Sequence, residues 1–440
     1  MDKNIGHGQS ISVFVPIGNP RRIQIQTMPV ELPARPSDAE LPSPPNAIVW
    51  MLLFVAYMMG GVVSTLLAWP RSEPAGSAWF WTRSLLLPAL AWCMTFGLRK
   101  FYYDEEIDRL LAEQEVVEAD RARAIEFARE PLAVLGLAYS CAMGAYGVAH
   151  AIATDNKTAL MSRSPRPNAA PVRHTALSPM EGEAEKGRYG ALFLSLLADV
   201  DDVLRDLPQG VPLDVRLQVS DAEDRELLLE NWKRYWEKQH YPQATASVIE
   251  AAQGLMALDE WLDIQGGPSL EKVTLFVAAQ LHAQPPENSG EAGVALIFAW
   301  PPLAERLRLK PIALVHRPVR SIAQQVDEAL STASQWGGVS ATEIRNIWQA
   351  GLTARDKPPL LRVASASGSE SAEDAPLSAM HDIDIALGDA GAARDWLATA
   401  LAIEHAWQSG EPQLIAVRER AFSAAVVKPP AGRREMDIEQ

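Results

Sequence analysis

Cysteine and histidine are scarce in this chain. Its 440 residues include two cysteines, Cys93 and Cys141, and eight histidines. Two cysteines cannot build a disulfide framework, and no Cys-x-x-Cys or His-Glu-x-x-His sequence indicates a zinc site. We therefore predict neither a metal site nor a cofactor.

The chain also lacks the motifs that bind phosphate groups or carry a serine nucleophile. No G-x-G-x-x-G or G-x-x-x-x-G-K-S/T sequence supports dinucleotide or P-loop binding, and no G-x-S-x-G sequence indicates a hydrolase. Acidic residues outnumber basic ones, 55 to 40, so the formal net charge is −15. Duplex binding requires a basic face, so we predict no nucleic-acid partner.

Long apolar runs, in contrast, occupy the first third of the chain. Residues 47–69 hold no charge and are long enough to span a bilayer. Residues 79–98 form a second run, with Arg83 near one end and aromatic residues at its border, which is typical of a membrane interface. Residues 1–46 are polar and proline-rich, so we predict a disordered tail followed by a transmembrane hairpin over residues 47–100.

Basic residues on both sides of this hairpin predict its orientation. Arg21, Arg22 and Arg35 precede the first run, and Arg99 and Lys100 follow the second. By the positive-inside rule both ends of the hairpin are cytoplasmic. We therefore expect a membrane protein whose soluble region lies in the cytoplasm.

A third uncharged run, residues 132–153, permits two interpretations. A further span would place the rest of the chain in the periplasm. Against it, the run is weakly apolar, is interrupted by Gly144, and is followed by Lys157 and Arg163 on the side that should be poor in positive charge. We favour a buried strand over residues 132–139 followed by a buried helix.

Residues 101–130 have the pattern of an acidic amphipathic helix. Apolar side chains such as Ile107, Leu110 and Leu111 recur at helical spacing between charged residues. Two roles fit this pattern equally well. The helix is either a stalk that holds the following domain away from the membrane or a solvated helix packed against that domain.

From residue 131 onward, predicted strands alternate with predicted helices. The strands are expected at 132–139, 212–220, 271–282, 290–300, 310–319, 382–387, 414–420 and 422–428. The helices are expected at 191–207, 221–239, 247–263, 301–309, 321–337, 341–351 and 389–406. This alternation predicts an α/β fold whose parallel or mixed sheets carry helices on their faces.

Cys141 is the strongest candidate for a nucleophile. It lies in AYSCAMGAYG, where a strand meets a turn, and His316 or His381 would assist it. Free cysteines in apolar surroundings are more often inert core residues. We favour the inert interpretation and predict no catalytic residue.

One aromatic stripe is a candidate surface for a partner. Trp232, Tyr235 and Trp236 are interleaved with basic residues such as Lys233 and Arg234 on a predicted helix. Tryptophan and tyrosine are common interface anchors, whereas plain packing of the helix is the simpler explanation. Both interpretations stay open at the level of sequence.

The stretch DIDIALGDAGAARDWLATAL, residues 382–401, predicts a strand, a turn at Gly388 and a helix. Asp389 stands directly after the turn, where its carboxylate is placed to accept backbone N–H groups near Ala392. Such a cap stabilises a helix by about 1 kcal/mol. It is poorly suited to binding an anionic intermediate.

Two C-terminal segments resemble the thiolase-like (condensing-enzyme) fold. GEAGVALIFAWPPLAERLRLKPIALVHRPV, residues 290–319, resembles the family's glycine-led strand, helix and returning strand. IALGDAGAARDWLATALAIEHAW, residues 385–407, resembles its final strand–GHxxGAAG–helix unit. The resemblance implies a mixed-sheet α/β fold in two halves, which we place at residues 131–285 and 286–428 ahead of a polar tail at 429–440.

The catalytic residues of that family do not carry over to this chain. Gly388 and Gly391 match its glycine pair, but Asp389 occupies the place of the histidine, where a carboxylate would repel a developing oxyanion. No cysteine lies in the middle of the domain, and no HGTGT-like sequence occurs. Asp389 therefore marks a degenerate active-site position, and we predict a pseudoenzyme scaffold.

The membrane hairpin, the charged helix and the strand PLAVLGLAYS together resemble the type VI secretion lipase adaptors, over roughly residues 103–428. This resemblance implies a non-catalytic adaptor that binds a phospholipase effector and, with it, the secretion spike protein. Two alternatives remain. They are an active membrane-associated acyltransferase of thiolase-like fold and a structural subunit of an envelope complex.

Overall fold

The structure is a computed structural model, and it divides the chain into two compact units. It describes residues 30, 32–33, 42–70, 74, 76–165, 170–177, 185–220, 225–321, 325–367 and 379–430. The smaller unit comprises residues 31–124, and the larger one contains Val30 and residues 125–440. Most of the predicted N-terminal tail and most of the predicted C-terminal tail lie outside the described residues.

The first part of the chain is helical. Its helices are α1 (Ala47–Ala68), α2 (Ala78–Trp81) and α3 (Leu87–Ala128), with a π-helical turn at Thr82–Leu86 before α3. Among the described residues, α1 alone is long and apolar enough to cross a membrane by itself. The second apolar run is divided among α2, the π turn and the start of α3. Helix α3 then continues without a break, so the helix predicted over 101–130 is confirmed as far as Ala128.

Helix α1 packs antiparallel against the second apolar run. The indole Nε1 of Trp92 donates to the carbonyl of Trp50 at 3.0 Å, near one end of α1. The rings of Phe54 and Trp92 lie 5.0 Å apart. Farther along α1, a Cβ at Gly61 would lie 2.0 Å from the ring of Pro88. The two segments therefore form a hairpin, as predicted, while its insertion in a membrane stays a prediction.

The larger unit is built on a long mixed sheet. Its strands, in chain order, are β1 (Leu132–Cys141), β2 (Met161–Arg163), β3 (Val172–Thr175), β4 (Leu213–Val219), β5 (Thr245–Val248), β6 (Val273–Gln280), β7 (Ser289–Gly290), β8 (Ala292–Ala299), β9 (Ala313–Val315), β10 (Val319–Arg320), β11 (Asn346–Ala350), β12 (Met380–Asp382), β13 (Gln413–Arg418) and β14 (Phe422–Lys428). The main sheet has the order β12-β11-β13-β14-β9-β1-β8-β6-β4-β5, with β10 paired to β14. Strands β2, β3 and β7 form a small separate sheet.

The strand order contains an internal repeat. Along the chain, β1, β4, β5, β6 and β8 take positions five, two, one, three and four from one edge, and β9, β11, β12, β13 and β14 do the same from the other edge. In each half the three outer strands are parallel to one another, the fourth strand (β8 or β14) runs antiparallel to them, and the innermost strand (β1 or β9) has the direction of the outer three again. The halves meet where β1 pairs with β9. Because β8 belongs to the first half, the boundary predicted between residues 285 and 286 falls one strand too early.

Helices cover both faces of each half. In chain order they are α4 (Val148–Ala153), α5 (Glu185–Asp199), α6 (Asp201–Arg205), α7 (Arg225–Lys238), α8 (Met256–Leu262), α9 (Pro301–Arg306), α10 (Val326–Gly337), α11 (Lys357–Ser367), α12 (Ile383–Leu387) and α13 (Arg394–Ser409). Helices α5, α6, α7 and α9 form a first-half cluster with β4, β6 and β8. Helices α10 and α11 form a second-half cluster with β11, β13 and β14. Helices α4, α8 and α13 lie in a central cluster that takes side chains from both halves.

This layering follows from the alternation of side chains along each strand. In β6, Val277 points into the first-half cluster and Phe276 into the central cluster. In β13, Leu414 belongs to the second-half cluster and Ile415 to the central one. Both faces of each half are therefore buried, which explains why the predicted strands read as continuous apolar runs.

Three predicted elements are wrong. Residues 383–387, predicted as a strand, form helix α12, because Asp382 caps it by accepting the N–H of Ile385 at 3.2 Å. The helix predicted over 341–351 contains β11, which pairs with strands on both sides. The helix predicted over 247–263 is preceded and shortened by β5. In the last two cases tertiary pairing outweighs local propensity.

The third apolar run does not form a membrane span. Strand β1 lies in the middle of the sheet between β8 and β9, and it is followed by the short buried helix α4. The interpretation favoured from the sequence is therefore confirmed. The proposed export of the remaining chain through a third span is wrong.

Candidate functional site

Helices α8 and α13 of the central cluster begin next to each other. Helix α8 starts just after Gly254, whose φ of +47° and ψ of −133° define a conformation open essentially to glycine alone. A Cβ at Gly254 would lie 2.1 Å from a carboxylate oxygen of Asp395, in the first turn of α13. Asp395 accepts the backbone N–H of Leu255, and desolvation raises the pKa of Asp395 to about 6. The carboxylate of Asp395, in the second half, thus binds the backbone at the start of α8, in the first half.

Two glutamines hold the turn that leads into α13. Gln218 and Gln280 stand at the ends of parallel strands β4 and β6, where α/β folds place functional groups. Gln280 Oε1 accepts the N–H of Ala392 at 3.1 Å, and Gln218 Nε2 donates to the carbonyl of Ala392 at 3.1 Å. Gln218 Oε1 also accepts the indole N–H of Trp396 at 2.8 Å. The two glutamines therefore hold the turn through the backbone N–H and carbonyl of Ala392.

Gly391 lies within the same turn and is required there. Its φ is +49°, and a Cβ would lie 2.5 Å from Gln280 Oε1. Gly388 is constrained in a similar way, because its φ is +82° and a Cβ would lie 2.5 Å from the carbonyl oxygen of Ser289. The glycine pair noted in the sequence is thus needed by the backbone and by its close neighbours.

The side chain of Asp389 is half-exposed, and it binds neighbouring groups of its own turn and helix. Its Oδ1 accepts the N–H of Gly391 at 2.8 Å, one residue before the predicted partner region at Ala392. The same oxygen forms an ion pair with Arg394 through both Nε and Nη2. Arg394 is mostly buried, and its Nη1 donates to the carbonyl of Arg418 at 2.8 Å. Asp389 therefore holds the turn and neutralises a buried guanidinium, whereas the predicted helix cap is wrong, because α13 begins after Ala393 without a side-chain cap.

A further carboxylate lies below this ion pair. Asp384 Oδ2 accepts the N–H of Gly351 at 2.6 Å, at the end of strand β11. Its other oxygen, Oδ1, is buried without a hydrogen-bond partner. Desolvation raises the pKa of Asp384 to about 6. The burial of this charge costs stability at neutral pH.

The sequence analysis missed a second polar cluster beside the turn. Buried Glu291 binds Arg188 Nη2 at 2.5 Å and accepts the backbone N–H groups of His282 and Leu177 at 2.8 and 3.0 Å. Burial lowers the pKa of His282, and the negative charges of Glu291 and Asp389 oppose that shift. No motif marks these residues, because they come from three separate segments. The polar positions that flank β6 and β8 are the only signal in the sequence.

The residues of the nucleophile hypothesis are engaged with different parts of the fold. Cys141 is buried and donates to the carbonyl of Gly144, and desolvation raises its pKa to about 11. His316 Nδ1 lies 3.1 Å from the carbonyl of Arg129, and His381 Nε2 lies 2.9 Å from Asn346 Oδ1. Burial lowers the pKa of each of these histidines to about 4.

The predicted aromatic stripe packs inside the protein. Trp232 is 1% exposed and lies 5.1 Å from the ring of Phe193. Trp236 is 7% exposed and donates to the carbonyl of Pro242 at 2.9 Å. Tyr235 is half-buried, and its hydroxyl packs on the backbone of α5. The partner-binding interpretation of the two tryptophans is wrong, because α7 turns them into the first-half cluster.

Solved ketosynthases are similar to this chain in fold. The ketosynthase from module 6 of the bacillaene synthase of Bacillus subtilis has a TM-score of 0.50 at 10% identity, over 69% of this chain and 71% of that one. The ketosynthase from module 1 of the bacillaene synthase of Bacillus amyloliquefaciens has a TM-score of 0.48 at 13% identity, over 70% and 77%. The larger unit has a thiolase-like fold. No family model and no curated protein matches the chain in sequence.

A carboxylate of the chain itself lies at the start of α8, and another lies in the turn before α13. Asp395 occupies the start of α8, and Asp389 occupies the turn before α13. Among the described residues, no group of three or more histidine, cysteine, aspartate or glutamate side chains is placed to hold a metal ion. The arrangement offers ion pairs and hydrogen bonds that stabilise the fold. Its carboxylates oppose the binding of an oxyanion.

Proposed function

We propose that this protein is a membrane-attached binding protein without catalytic activity, built on a thiolase-like fold. The Asp389–Arg394 ion pair before α13 is the observation that carries the proposal. Acyl transfer needs hydrogen-bond donors directed at a developing negative charge, whereas this turn presents a neutralised carboxylate. The domain then acts through its surface, as a scaffold for a protein partner.

The partner we propose is a phospholipase-type effector, which the protein delivers to a type VI secretion spike. The support is the sequence resemblance to lipase adaptors, which rests on the apolar hairpin, the charged helix α3 and the strand β1. Attachment through the hairpin would hold the adaptor at the bacterial inner membrane, with its larger unit in the cytoplasm. A structural subunit of an envelope complex is the alternative with the same anchor.

A membrane-associated condensing enzyme is the alternative that the fold favours. Cys141 would be its nucleophile, with His316 or His381 as the base. The high pKa of the Cys141 thiol works against this role, because the thiolate is the reactive form and is scarce near neutral pH. The burial of both histidines also opposes the imidazolium that a general base must form.

Affinity purification of the full-length protein from its own host, in mild detergent, tests the proposal. We expect a phospholipase encoded beside it to be retained, and to be retained equally by the Cys141→Ser variant. In parallel, a thiol-directed acyl probe should leave Cys141 unlabelled in the folded protein and label it after denaturation.

The outcomes separate the three functions. Acyl labelling of Cys141 in the folded protein, lost in Cys141→Ser, supports the condensing enzyme and overturns the proposal. Recovery of stoichiometric membrane components without any lipase supports the envelope subunit. Failure to retain any lipase from a host that produces one also contradicts the adaptor function.

A further inference from the structure

Large apolar side chains are exposed in one region of the larger unit. Among its described residues there are four of them, namely Tyr146, Met161, Ile385 and Trp407. Tyr146 is 86% exposed and Ile385 is 62% exposed. Tyrosine, tryptophan and methionine are enriched in protein interfaces, and a group of exposed apolar side chains on a folded domain typically marks a binding surface.

Met161 and Ile385 lie close to one contact, where the chain enters β2. Thr158 donates its hydroxyl to the carbonyl of Ile385 at 3.0 Å, and Ala159 donates its N–H to the carbonyl of Ala386 at 2.8 Å. The segment that leads into β2 is thus bound to helix α12. Met161 is the first residue of β2 and follows Ala159 by two residues, which places it about 7 Å farther along an extended chain.

Tyr146 and Trp407 flank a second contact, at the start of α4. Gly147 donates its N–H to Glu404 at 2.6 Å. Tyr146 directly precedes Gly147, and Trp407 follows Glu404 by one helical turn on α13. Helix α4, which joins this contact to the segment before β2, has six residues and is about 9 Å long. The four exposed side chains therefore belong to one part of the surface.

Strand β2 is an open edge beside these side chains. Among the described strands it pairs with β3 alone, and its three residues are all exposed. An edge strand turns every second peptide group away from its partner strand, so β2 has backbone N–H and C=O groups available to a further strand. Addition of a strand to such an edge is a common way to bind an extended peptide.

The charge of this region is opposite to that of the whole chain. Residues 156–180 contain four lysine or arginine residues and no aspartate or glutamate, whereas the chain has a formal net charge of −15. Lys157 pairs with Asp155 at 2.8 Å. Arg163, in contrast, is exposed on β2, lies 3.1 Å from the sulfur of Met161 and pairs with no carboxylate among the described residues. The edge therefore offers a positive charge next to apolar side chains.

We propose that the outer edge of β2 binds an extended acidic segment of a partner protein. The segment pairs with the backbone of β2, its carboxylates contact Arg163, and its apolar side chains pack on Met161 and Ile385. A lipid headgroup would satisfy the charge but has no backbone to pair with a strand. A second copy of the chain would bring another Arg163 to the same edge, and like charges oppose that pairing. The assignment rests on the proposed role of a binding protein and adds the surface that serves it.

Photocrosslinking in the protein's own host tests this surface. Benzoylphenylalanine replaces Ile385 in the full-length protein. In the matched control it replaces Arg234, which is exposed on α7 in the first half. We expect irradiation to join one protein to position 385 and to leave position 234 without that adduct. Mass spectrometry should place the adduct on or next to a segment rich in aspartate or glutamate.

Charge reversal measures the part played by Arg163. In the protein that is photoreactive at position 385, we expect Arg163→Glu to lower the adduct yield at least about fivefold, because the partner's carboxylates then meet a like charge. Lys310→Glu makes the same change in net charge at an exposed position before β9 and should leave the yield unchanged. Both variants should keep the wild-type unfolding temperature, since each replaces an exposed side chain.

Four results would overturn the proposal. They are no adduct at position 385, an equal adduct at position 234, an adduct only with lipid or with a second copy of the chain, and a yield that Arg163→Glu does not change. A lipase that is retained in the affinity purification without a crosslink at position 385 overturns this surface and leaves the proposed function standing. A crosslink to an acidic segment of a different protein supports the surface and contradicts the delivery of a phospholipase.

Discussion

The two halves of the larger unit share one strand order. In both, a glycine with positive φ precedes the helix in the central cluster, α8 in the first half and α13 in the second. Gly254 precedes α8 and Gly391 precedes α13, and both have a positive φ. A Cβ at Gly254 would strike Asp395 of the second half, and a Cβ at Gly391 would strike Gln280 of the first. Each half therefore supplies a polar side chain to the start of the other half's helix. The two glycines allow these side chains to approach the backbone closely.

The helices themselves differ in what stabilises them. Helix α13 has 16 residues and buries an almost continuous apolar sequence. Helix α8 has seven residues, and Arg317, which is 1% exposed, binds both Asp259 in its first turn and Asp263 at its C-cap. The guanidinium also lies 5.2 Å from the ring of Phe127. The first half thus relies on a buried ion network where the second relies on apolar burial.

The largest expected effect comes from breaking that ion network. Arg317→Met would leave the carboxylates of Asp259 and Asp263 unpaired in a partly buried site. Loss of one partner from a buried pair typically costs about 3–5 kcal/mol. We expect a decrease of this size in the free energy of unfolding, measured by urea denaturation of the detergent-solubilised protein.

The matched control is Arg362→Met, because Arg362 pairs with Asp327 at the surface, where both side chains are about two-thirds exposed. Exposed pairs contribute about 0–1 kcal/mol. Equal losses from the two variants would contradict the difference drawn between the halves.

The paired glycines give the next largest effects. We expect Gly254→Ala and Gly391→Ala each to destabilise by about 1–3 kcal/mol, since a positive φ and a close polar neighbour both oppose the added Cβ. Gly254→Ala should cost more, because its ψ of −133° is not an ordinary left-handed conformation. Thermal unfolding compares the two variants, with Gly210→Ala, a positive φ without a close neighbour, as the control.

A change of pH probes a buried histidine of the second half. The folded pKa of His381, about 4, lies below its usual value of 6.5, so the unfolded chain binds one more proton between these values. Stability therefore rises with pH through this window and is lost as the pH falls towards 4, by at most about 1.4 kcal/mol per pH unit. His381→Gln should flatten the dependence between pH 6.5 and 4.5 in urea titrations. An unchanged slope would show that His381 does not titrate there.

The smallest expected effect is a gain in stability. The pKa of Asp384 is raised to about 6 in the folded protein, so its ionisation costs stability as the pH rises through that value. Asp384→Asn removes the charge and keeps an acceptor for the N–H of Gly351. We expect a gain of about 1 kcal/mol at pH 8 and none at pH 4. A loss at pH 8 would show that the charged form has a partner that stabilises it.

Much of the fold could be predicted because its strands are buried on both faces. Segments such as VTLFVAAQ and AGVALIFA are apolar throughout, and both form central strands. Strand β11 was missed because its sequence, NIWQA, is short and mixed, so only its pairing with β12 and β13 makes it a strand. Helix α12 was missed because its alternating isoleucines also suit a strand, and the cap at Asp382 decides otherwise.

The turn at Asp389 was predictable only in part. The requirement for the two glycines follows from the local sequence. The contacts that hold it, through Gln218 and Gln280, come from strands more than a hundred residues away. The prediction that the aromatic stripe binds a partner was wrong for a related reason. Helical spacing places Trp232 and Trp236 on one face but does not tell whether that face meets solvent or the first-half cluster.

The contact of Val30 with the second-half cluster restricts how many times the chain can cross a membrane. Val30 and the residues from 125 onward belong to one compact unit, so they lie on the same side of any bilayer. A chain that leaves that side through α1 must return before residue 125, and the number of crossings between the two points is even. The smallest such number is two. If α1 crosses a membrane, the second apolar run is the predicted returning segment, whichever compartment holds the domain.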